Sequence, residues 1–578
     1  MHHSITGRTW TLKEISTDLI TRIMHLHDIS ELQARLVALR EPDIDKVGHF
    51  LEPKIKHLMK DPYLLLDMDK AVKRTLAAIE AGEKICIYGD YDVDGATSSA
   101  LLRRLFESYG LEIEVYIPDR MKDGYGLSER ALKQIKAGGV SLVITVDSGS
   151  MAHEAIDAGN AMGLDIIVID HHLTAEHLPN AVAIINPNRM DETTEYKYLA
   201  AVGVSFLFAV AVDREMKLLG KESEINLMDL MDIVALGTVC DVMPLIGLNR
   251  AFVKQGLKVL SARQNIGLKA LSDIAKINMR PTCYHLGFIL GPRINAGGRV
   301  GESYLGSKLL STECEIEAME IAAKLEEFNN ERKRVELDIV EEAKILAAFQ
   351  SDRNLILVSG KWHPGVIGVV AGKLKEIYSK PVAVVSIIDG ICKASCRSVK
   401  GVDFGSALAE AKMQDLVIVG GGHAMAAGFT TEEAKLDALN EFLNERFGAN
   451  KDAIAESKIA HYELELTSSA ISEGLHNEIH LLAPFGQGNP EPIIKIDGLF
   501  VLKAYIVGEK HISCLLAGDR SAYKGQALKA ICFNAVGTPL EKYLMSEIPH
   551  VLSIIGTVQI QHYNGNTYPQ VVISDAIL

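Results

Sequence analysis

A multidomain α/β protein is the fold class the sequence predicts: a parallel-sheet domain joined by a long helix to a second α/β domain, with a small β-barrel at the C-terminal end. Three observations predict it. Between Lys84 and Pro187, short apolar runs ("KICIYG", "EIEVYIP", "SLVITVDSG", "DIIVID", "VAIINP") alternate with helix-like stretches, the pattern of βαβ units around a parallel sheet. Residues 311 to 350 contain neither Gly nor Pro and run far past an average helix, as a strut between domains does. From about 455 the chain turns to short β-rich runs, among them "LFVLKAYIVG" and "HISCLLAG". At 578 residues the chain needs several cores, not one.

Taken in order, residues 1–75 read as an N-terminal segment of short helices, broken at Pro53 and Pro62. Residues 76–310 form the parallel-sheet domain, mostly helical after about residue 200. Thr312 and Glu315 stand at capping-box spacing at the start of the strut, 311–350. A second α/β pattern, 351–450, runs from "NLILVSG" to "LNERFG", and the barrel occupies 455–578 with "NGN" at 564–566 as a hairpin turn.

Composition narrows the function. The start, "MHHSITGRTWTLKEI", has no apolar signal region, and no window reaches the roughly 18 uncharged apolar residues that span a bilayer. A cytoplasmic protein without a membrane partner is expected. The eight cysteines are scattered, and Cys392 and Cys396 lack zinc-site spacing and a second pair, so reduced, structural cysteines are expected. A net charge of −15 argues against nonspecific coating of nucleic acid but allows a local basic groove.

The chemistry sits where strands end. "YGDYDVDG" places Asp90, Asp92 and Asp94 on alternate positions after an apolar run; "VDSG" adds Asp147, and "DHH" adds Asp170, His171 and His172. Sites in open parallel sheets form beyond the carboxyl ends of strands. Three neighbouring carboxylates repel and raise each other's pKa values unless a cation lies between them; a solvated acidic loop is the competing reading. Asp241, isolated in the apolar "IVALGTVCDVMPL", is costly if buried unpaired, and a metal, a helix cap or a salt bridge would each relieve it. Carboxylate and imidazole donors suit Mn²⁺ or Mg²⁺. Two such ions could serve phosphoester hydrolysis.

The set "DYDVDG", "VDSG", "DHH" and "ALGTVCDVMPL" resembles the DHH phosphoesterase superfamily. With "GPRINAGGRVG", "GKWHPGVIGVVAGKL" and "GGGHAMAAGF", nearly the whole chain from about residue 50 resembles the RecJ family of bacterial single-strand-specific 5′ to 3′ DNA exonucleases. That resemblance implies metal ligands at Asp92, Asp94, Asp147, His171 and Asp241, with Asp147 bridging two ions. It places His172 at the catalytic centre, while Asp170 orients the histidines and Asp90 serves as ligand or support. Tyr88 departs from the family, where many members carry histidine. A tyrosine hydroxyl on phosphate and a water replacing the missing nitrogen are both open.

On the substrate side, Arg120, Arg293, Arg299 and Arg397 with Ser398 are candidate phosphate contacts, with ordinary salt bridges as the alternative. Gly420, Gly421 and Gly422 with His423 precede a small-residue stretch, Ala424 to Ala427, read as a helix whose start could cradle a phosphate; close helix packing competes. Ala394 stands where relatives often carry glycine. The barrel resembles an OB-fold introduced by "LLAPFGQGNPEP", with Lys503, Lys510, His511, Tyr523, Lys524, Lys529 and Phe533 available to a single strand. Single-stranded DNA is the expected partner. By resemblance, a single-strand-binding protein and a RecQ-type helicase join it, the chain acting as a monomer. A small oligonucleotide phosphodiesterase, a pyrophosphatase and a noncatalytic scaffold are rival readings. The barrel and the "RINAGGR" block speak against the two enzymes, and the complete set of acids and histidines speaks against the scaffold.

Overall fold

The computed structural model describes residues 3–119, 126–450, 458–519, 527–548, 550–563 and 566–578. Arg120, Tyr523, Lys524 and the turn residues 564 and 565 lie outside them. The chain divides into two compact units. One comprises residues 43–332 with 483–490; the other comprises 1–42, 333–482 and 491–578.

The first unit is built on a five-stranded parallel sheet, ordered Ile113–Tyr116, Lys84–Gly89, Val140–Val146, Asp165–Ile169, Ala183–Ile185. Both faces are covered, which is why its strands read as continuous apolar runs and not as alternating ones. Ile85, Ile87, Leu142, Ile144, Ile167 and Ile169 face a core shared with the helices Val93–Glu107 and Ala201–Leu218. Cys86, Tyr88, Val143, Ile166 and Val168 face the other, with Glu129–Ala137 and His153–Ala161. Register then aligns the strand ends: Gly89 lies opposite Val146, and Val146 opposite Ile169. Asp90, Asp147 and Asp170, each one residue further on, therefore emerge side by side. Connections leave Lys84–Gly89 and Val140–Val146 in opposite directions, so the crevice between them is the topological switch point.

In the second unit a mixed five-stranded sheet runs Val419–Gly422, Ala426–Glu432, Ile391–Arg397, Val382–Ile388, Ile356–Gly360; only the last two strands pair in parallel. The C-terminal strands close a barrel, because Ile494–Val507 pairs with His511–Ala517 on one side and Val551–Tyr563 on the other. The helix Glu315–Ala348 is a single element of 34 residues and contributes to both units. No described helix is long and apolar enough to cross a membrane.

Several sequence expectations are corrected here. Residues 1–75 are short helices as expected, with two departures: Thr9–Leu12 is a strand pairing in parallel with Ile459–Tyr462, and residues from 43 onward belong to the parallel-sheet unit. Thr312 does not form the capping box with Glu315, because its hydroxyl donates to Glu317 and accepts the Cys314 amide. "GPRINAGGR" is helical, Gly291–Val300, and its glycines serve close packing: a Cβ on Gly298 would stand 2.8 Å from the Tyr91 carbonyl oxygen. Nor do Ala424 to Ala427 start a helix. Val419–Gly422 and Ala426–Glu432 form an antiparallel hairpin, with Ala427, Phe429 and Thr431 turned inward at the strand period of two. Of Gly420, Gly421 and Gly422, the last is the one that relieves a close approach: at φ 136° a Cβ there would meet the backbone of its ladder partner Ala427.

Candidate metal centre

Beyond the aligned strand ends the structure gathers three groups of potential ligand atoms, each within 4.8 Å: Asp147, His171 and His172; Asp94, His171 and Asp241; Asp90, Asp92 and Asp147. Asp147 and His171 each belong to two groups. All five residues carried over as metal ligands are thus brought together, and Asp90 joins them. Asp92 is the N-cap of the helix Val93–Glu107, accepting from the amides of Asp94 (2.9 Å) and Gly95 (3.2 Å). Gly95 is required there, since a Cβ would collide with the Asp90 backbone. Asp94 accepts from the amides of Ala201 (2.7 Å) and Val202 (2.9 Å), at the positive N-terminal end of the helix Ala201–Leu218.

Asp147 sits in the left-handed region at φ 61°, and Val242, just after Asp241, at 59°. Such strain persists where the surroundings impose it, and it clusters at functional positions. Asp241 caps the C-terminal end of Met231–Cys240, where the helix dipole disfavours a carboxylate. Its Oδ2 is buried with no hydrogen-bond partner among the described residues, 3.5 Å from His171 Nε2.

The electrostatics say what is missing. Burial, then the Asp92 charge, pushes Asp94 up to about 7. Burial, then Asp94 and Asp92, pushes Asp241 up to about 9. Asp147 is raised well above the carboxylate range by burial and by Asp92, Asp94, Asp241 and Asp90. These are groups held together against their own repulsion, and divalent cations bound among them would relieve it. Oxygen and imidazole donors suit hard to borderline ions such as Mn²⁺ or Mg²⁺. The nearby Cys240 is no ligand, since its thiol donates to the Leu286 carbonyl and burial raises its pKa. The residues present fit the ions.

Asp170 supports this centre from below. It accepts from the amides of His171 (2.7 Å) and His172 (3.2 Å) and from the Ser150 amide (3.0 Å), and it holds His172 Nδ1 at 2.8 Å. Burial opposes its ionisation, but His172 and these donors outweigh it and depress its pKa. For His172, burial is likewise outweighed by Asp170, which raises the imidazole to about 9. Two supports escaped the sequence reading: Asn186 Nδ2 donates to the His172 carbonyl at 2.9 Å, and Asn188 Nδ2 to that of His171 at 2.5 Å. The signal was their place directly after the strand Ala183–Ile185.

Tyr88 does not take the role left open for it. Its side chain lies on the core face, stacked on Tyr116 (5.4 Å), with its hydroxyl donating to the Gly126 carbonyl at 2.8 Å. Arg293 has partners within its own unit: it pairs with Glu326 and donates to the Ile289 carbonyl at 2.7 Å. Arg299 occupies the last turn of the same helix.

In the second α/β domain, Arg397 ends its strand with no carboxylate in salt-bridge reach among the described residues, donating to the Cys396 carbonyl (2.8 Å) and weakly to Ser395 Oγ (3.4 Å). Burial lowers its pKa. Ser398 turns away: it is 1% exposed and its hydroxyl donates to the Val402 carbonyl at 2.6 Å. Ser395, two residues back, shares the face of Arg397, and a Cβ on Gly368 would stand 3.0 Å from its Oγ. Ser395 and Gly368, at the start of the helix Ile367–Tyr378, are the partners that sequence reasoning missed. His423 is exposed in the hairpin turn, and Gly421 faces open space.

Fold and site together define a metal-dependent phosphoesterase of the DHH class. Models of three domains match the chain in order: "DHH family, N-terminal domain" over residues 84–238, "DHHA1 domain" over 351–449 and "RecJ OB domain" over 462–575. The single-stranded-DNA-specific exonuclease RecJ of Bacillus subtilis is 32% identical over 581 residues, covering 98% of this chain and 70% of that protein. Its counterpart in Salmonella typhimurium is 34% identical over 571 residues, covering 95% and 96%. The crystal structure of RecJ with Mn²⁺ from Thermus thermophilus superposes with a TM-score of 0.82 at 25% identity, over 99% of this chain and 79% of that one. The chain belongs to the RecJ family.

Proposed function

We infer that the chain is a metal-dependent exonuclease that degrades single-stranded DNA from the 5′ end to mononucleotides. The observation that carries this is the triple grouping of ligand atoms around Asp147 and His171 beyond register-matched strand ends, in a chain with the domain series of that family. Asp90, Asp92, Asp94, Asp147, His171 and Asp241 would hold two Mn²⁺ or Mg²⁺ ions. Bound there, the ions would neutralise the phosphodiester oxygens and acidify the attacking water. Water adds to phosphorus, the bond to the 3′ oxygen of the terminal nucleotide breaks, and that oxygen takes a proton. His172, aimed by Asp170, is the side chain placed to donate a hydrogen bond to the phosphate or the departing oxygen.

Arg397, Ser395, Gly421, Gly422 and His423 supply phosphate contacts in the second α/β domain, with Arg120 and Arg299 added from their place in the sequence. On the barrel, Phe533 is half exposed with His511 against its edge (5.1 Å), and Lys529 Nζ lies 3.4 Å over the Tyr568 ring. Rings and cations in that mixture suit a single strand. DNA repair and recombination in the cytoplasm, as a monomer working with a single-strand-binding protein and a RecQ-type helicase, complete the proposal.

The test is a single strand labelled at either end, incubated with Mn²⁺. Stepwise release of mononucleotides from the 5′ label, absent in Asp147→Ala, is expected. Degradation from the 3′ end, equal degradation of duplex, or no degradation by the parent overturns the reading.

A further inference from the structure

Residues 398–401, the loop after the strand Ile391–Arg397, form one wall of a cavity of about 660 Å³ within the unit that holds the second α/β domain. Three cations and a histidine from four separate segments converge on it: Arg8 ahead of the strand Thr9–Leu12, Lys375 on the helix Ile367–Tyr378, Lys400 in the loop, and His461 on the strand Ile459–Tyr462. Among the described residues only one carboxylate lines it, that of the mostly exposed Glu376, 3.9 Å from Lys375. Arg8, Lys400 and His461 form no ion pair among the described residues.

Lys375 alone has an ordinary explanation, since it complements the C-terminal end of its helix. Arg8, Lys400 and His461 do not. In a chain of net charge −15, where carboxylates are plentiful, leaving Arg8 and Lys400 without an ion pair among the described residues around one hollow costs mutual repulsion. An anion offsets that cost. The rest of the wall is mixed: Ser379, Ser398 and Gly401 stand beside an apolar patch of Val399, Met425 (48% exposed) and Ile459 (39% exposed). A bare phosphate has no use for such a patch, whereas a base or sugar does, and the volume falls in the ordinary range of small-molecule sites. The cavity is also tied to the proposed phosphate-binding strand, because the Ser398 amide donates to the Met425 carbonyl at 2.9 Å.

We propose that this cavity binds a nucleotide, its phosphate held by Arg8, Lys375, Lys400 and His461 and its base or sugar against Met425 and Ile459. This rests on the exonuclease reading for its source, which is either a unit of the DNA strand or the mononucleotide released from it. None of these residues belongs to the metal centre or to the Arg397 face.

The test uses the full chain in the Asp147→Ala background, which leaves DNA intact, with and without Arg8→Ala and Lys400→Ala together. Probes are oligo(dT) of increasing length and deoxythymidine monophosphate, each also carrying 4-thiothymine for crosslinking. If the strand is the source, long oligonucleotides crosslink to peptides bearing Met425 or Ile459. The double variant then flattens the dependence of log affinity on log salt by about 1.4, or ~0.7 for each cation withdrawn from the phosphates. The circular dichroism spectrum and melting temperature of the double variant, at the parent's values, show that it folds. If the product is the source, free mononucleotide crosslinks to the same peptides and the double variant abolishes that. Unchanged affinity and salt slope with no such crosslink overturns the proposal. So does displacement by a polyglutamate peptide where mononucleotide and oligonucleotide do not compete, which assigns the cavity to a protein partner. A parent that binds here but releases no nucleotide defeats the exonuclease reading and leaves the site standing.

Discussion

The two α/β regions end their strands in opposite charge. In the first, register-matched strands finish at Asp90, Asp147 and Asp170, and burial with mutual repulsion drives Asp94, Asp147 and Asp241 far from ordinary carboxylate behaviour. In the second, the strand Ile391–Arg397 finishes in a guanidinium with no carboxylate in salt-bridge reach among the described residues, beside Ser395 and the glycine at 368. Each region carries charge that its own side chains leave unbalanced. The difference fits the proposed function: the first region would hold cations and the second an anion, and a phosphodiester hydrolase uses both.

The sharpest way to break the comparison is to remove the shared ligand. Asp147→Ala belongs to two ligand groups at once, and nuclease activity should fall by more than about a thousandfold, with the Mn²⁺-induced rise in melting temperature lost as well. A variant that keeps either would deny the first region its role. Asp170→Asn keeps the shape but removes the charge behind His172, and loss of such support typically costs about 10- to 100-fold in activity or metal affinity. Steady-state kinetics across Mn²⁺ concentrations separates the two losses.

In the second region, Arg397→Ala should reduce kcat/KM on single-stranded DNA by about 10- to 100-fold, the worth of charge-assisted hydrogen bonds to phosphate, while Mn²⁺ binding stays at the parent level. Ser395→Ala should lower kcat/KM more than Ser398→Ala does, because the Ser398 hydroxyl is spent on Val402. Its removal should show in thermal stability instead. Equal kinetic effects would return Ser398 to the substrate side.

The smallest effect separates clustered acids from merely buried ones. Asp232 lies outside the ligand groups, and burial, only partly offset by the Ile233 amide and Arg104, raises it to about 7. A raised folded-state pKa gives stability that is complete below the unfolded value and is lost as pH rises through about 7. With Mn²⁺ present throughout, Asp232→Asn should therefore lose less melting temperature than the parent between pH 5 and pH 8. Parallel curves would show that this carboxyl does not titrate there.

Asp90, Asp147 and Asp170 were legible because each follows an apolar run directly, so a strand assignment alone placed them at one edge of one sheet. Their partnerships were not, because register, and not spacing, sets Gly89 opposite Val146. Tyr88 misled for a related reason: strand alternation turns it to the core face while the backbone continues into the ligand loop. The glycine hairpin looked helical because "HAMAAG" consists of small residues with no apolar period of its own. Its cue lay later, in the inward alternation of Ala427, Phe429 and Thr431. Arg293 was legible as a cation but not as a paired one, since Glu326 is 33 residues away in sequence.

The most direct measurement is the number of Mn²⁺ ions bound per chain, by calorimetric titration of the metal-free protein, compared with Asp241→Asn and Asp92→Asn. Two ions in the parent, and fewer in each variant with its fold retained, are expected if the carboxylate cluster is charge held in place for cations. No binding by the parent, or two ions bound equally well by all three proteins, would contradict it.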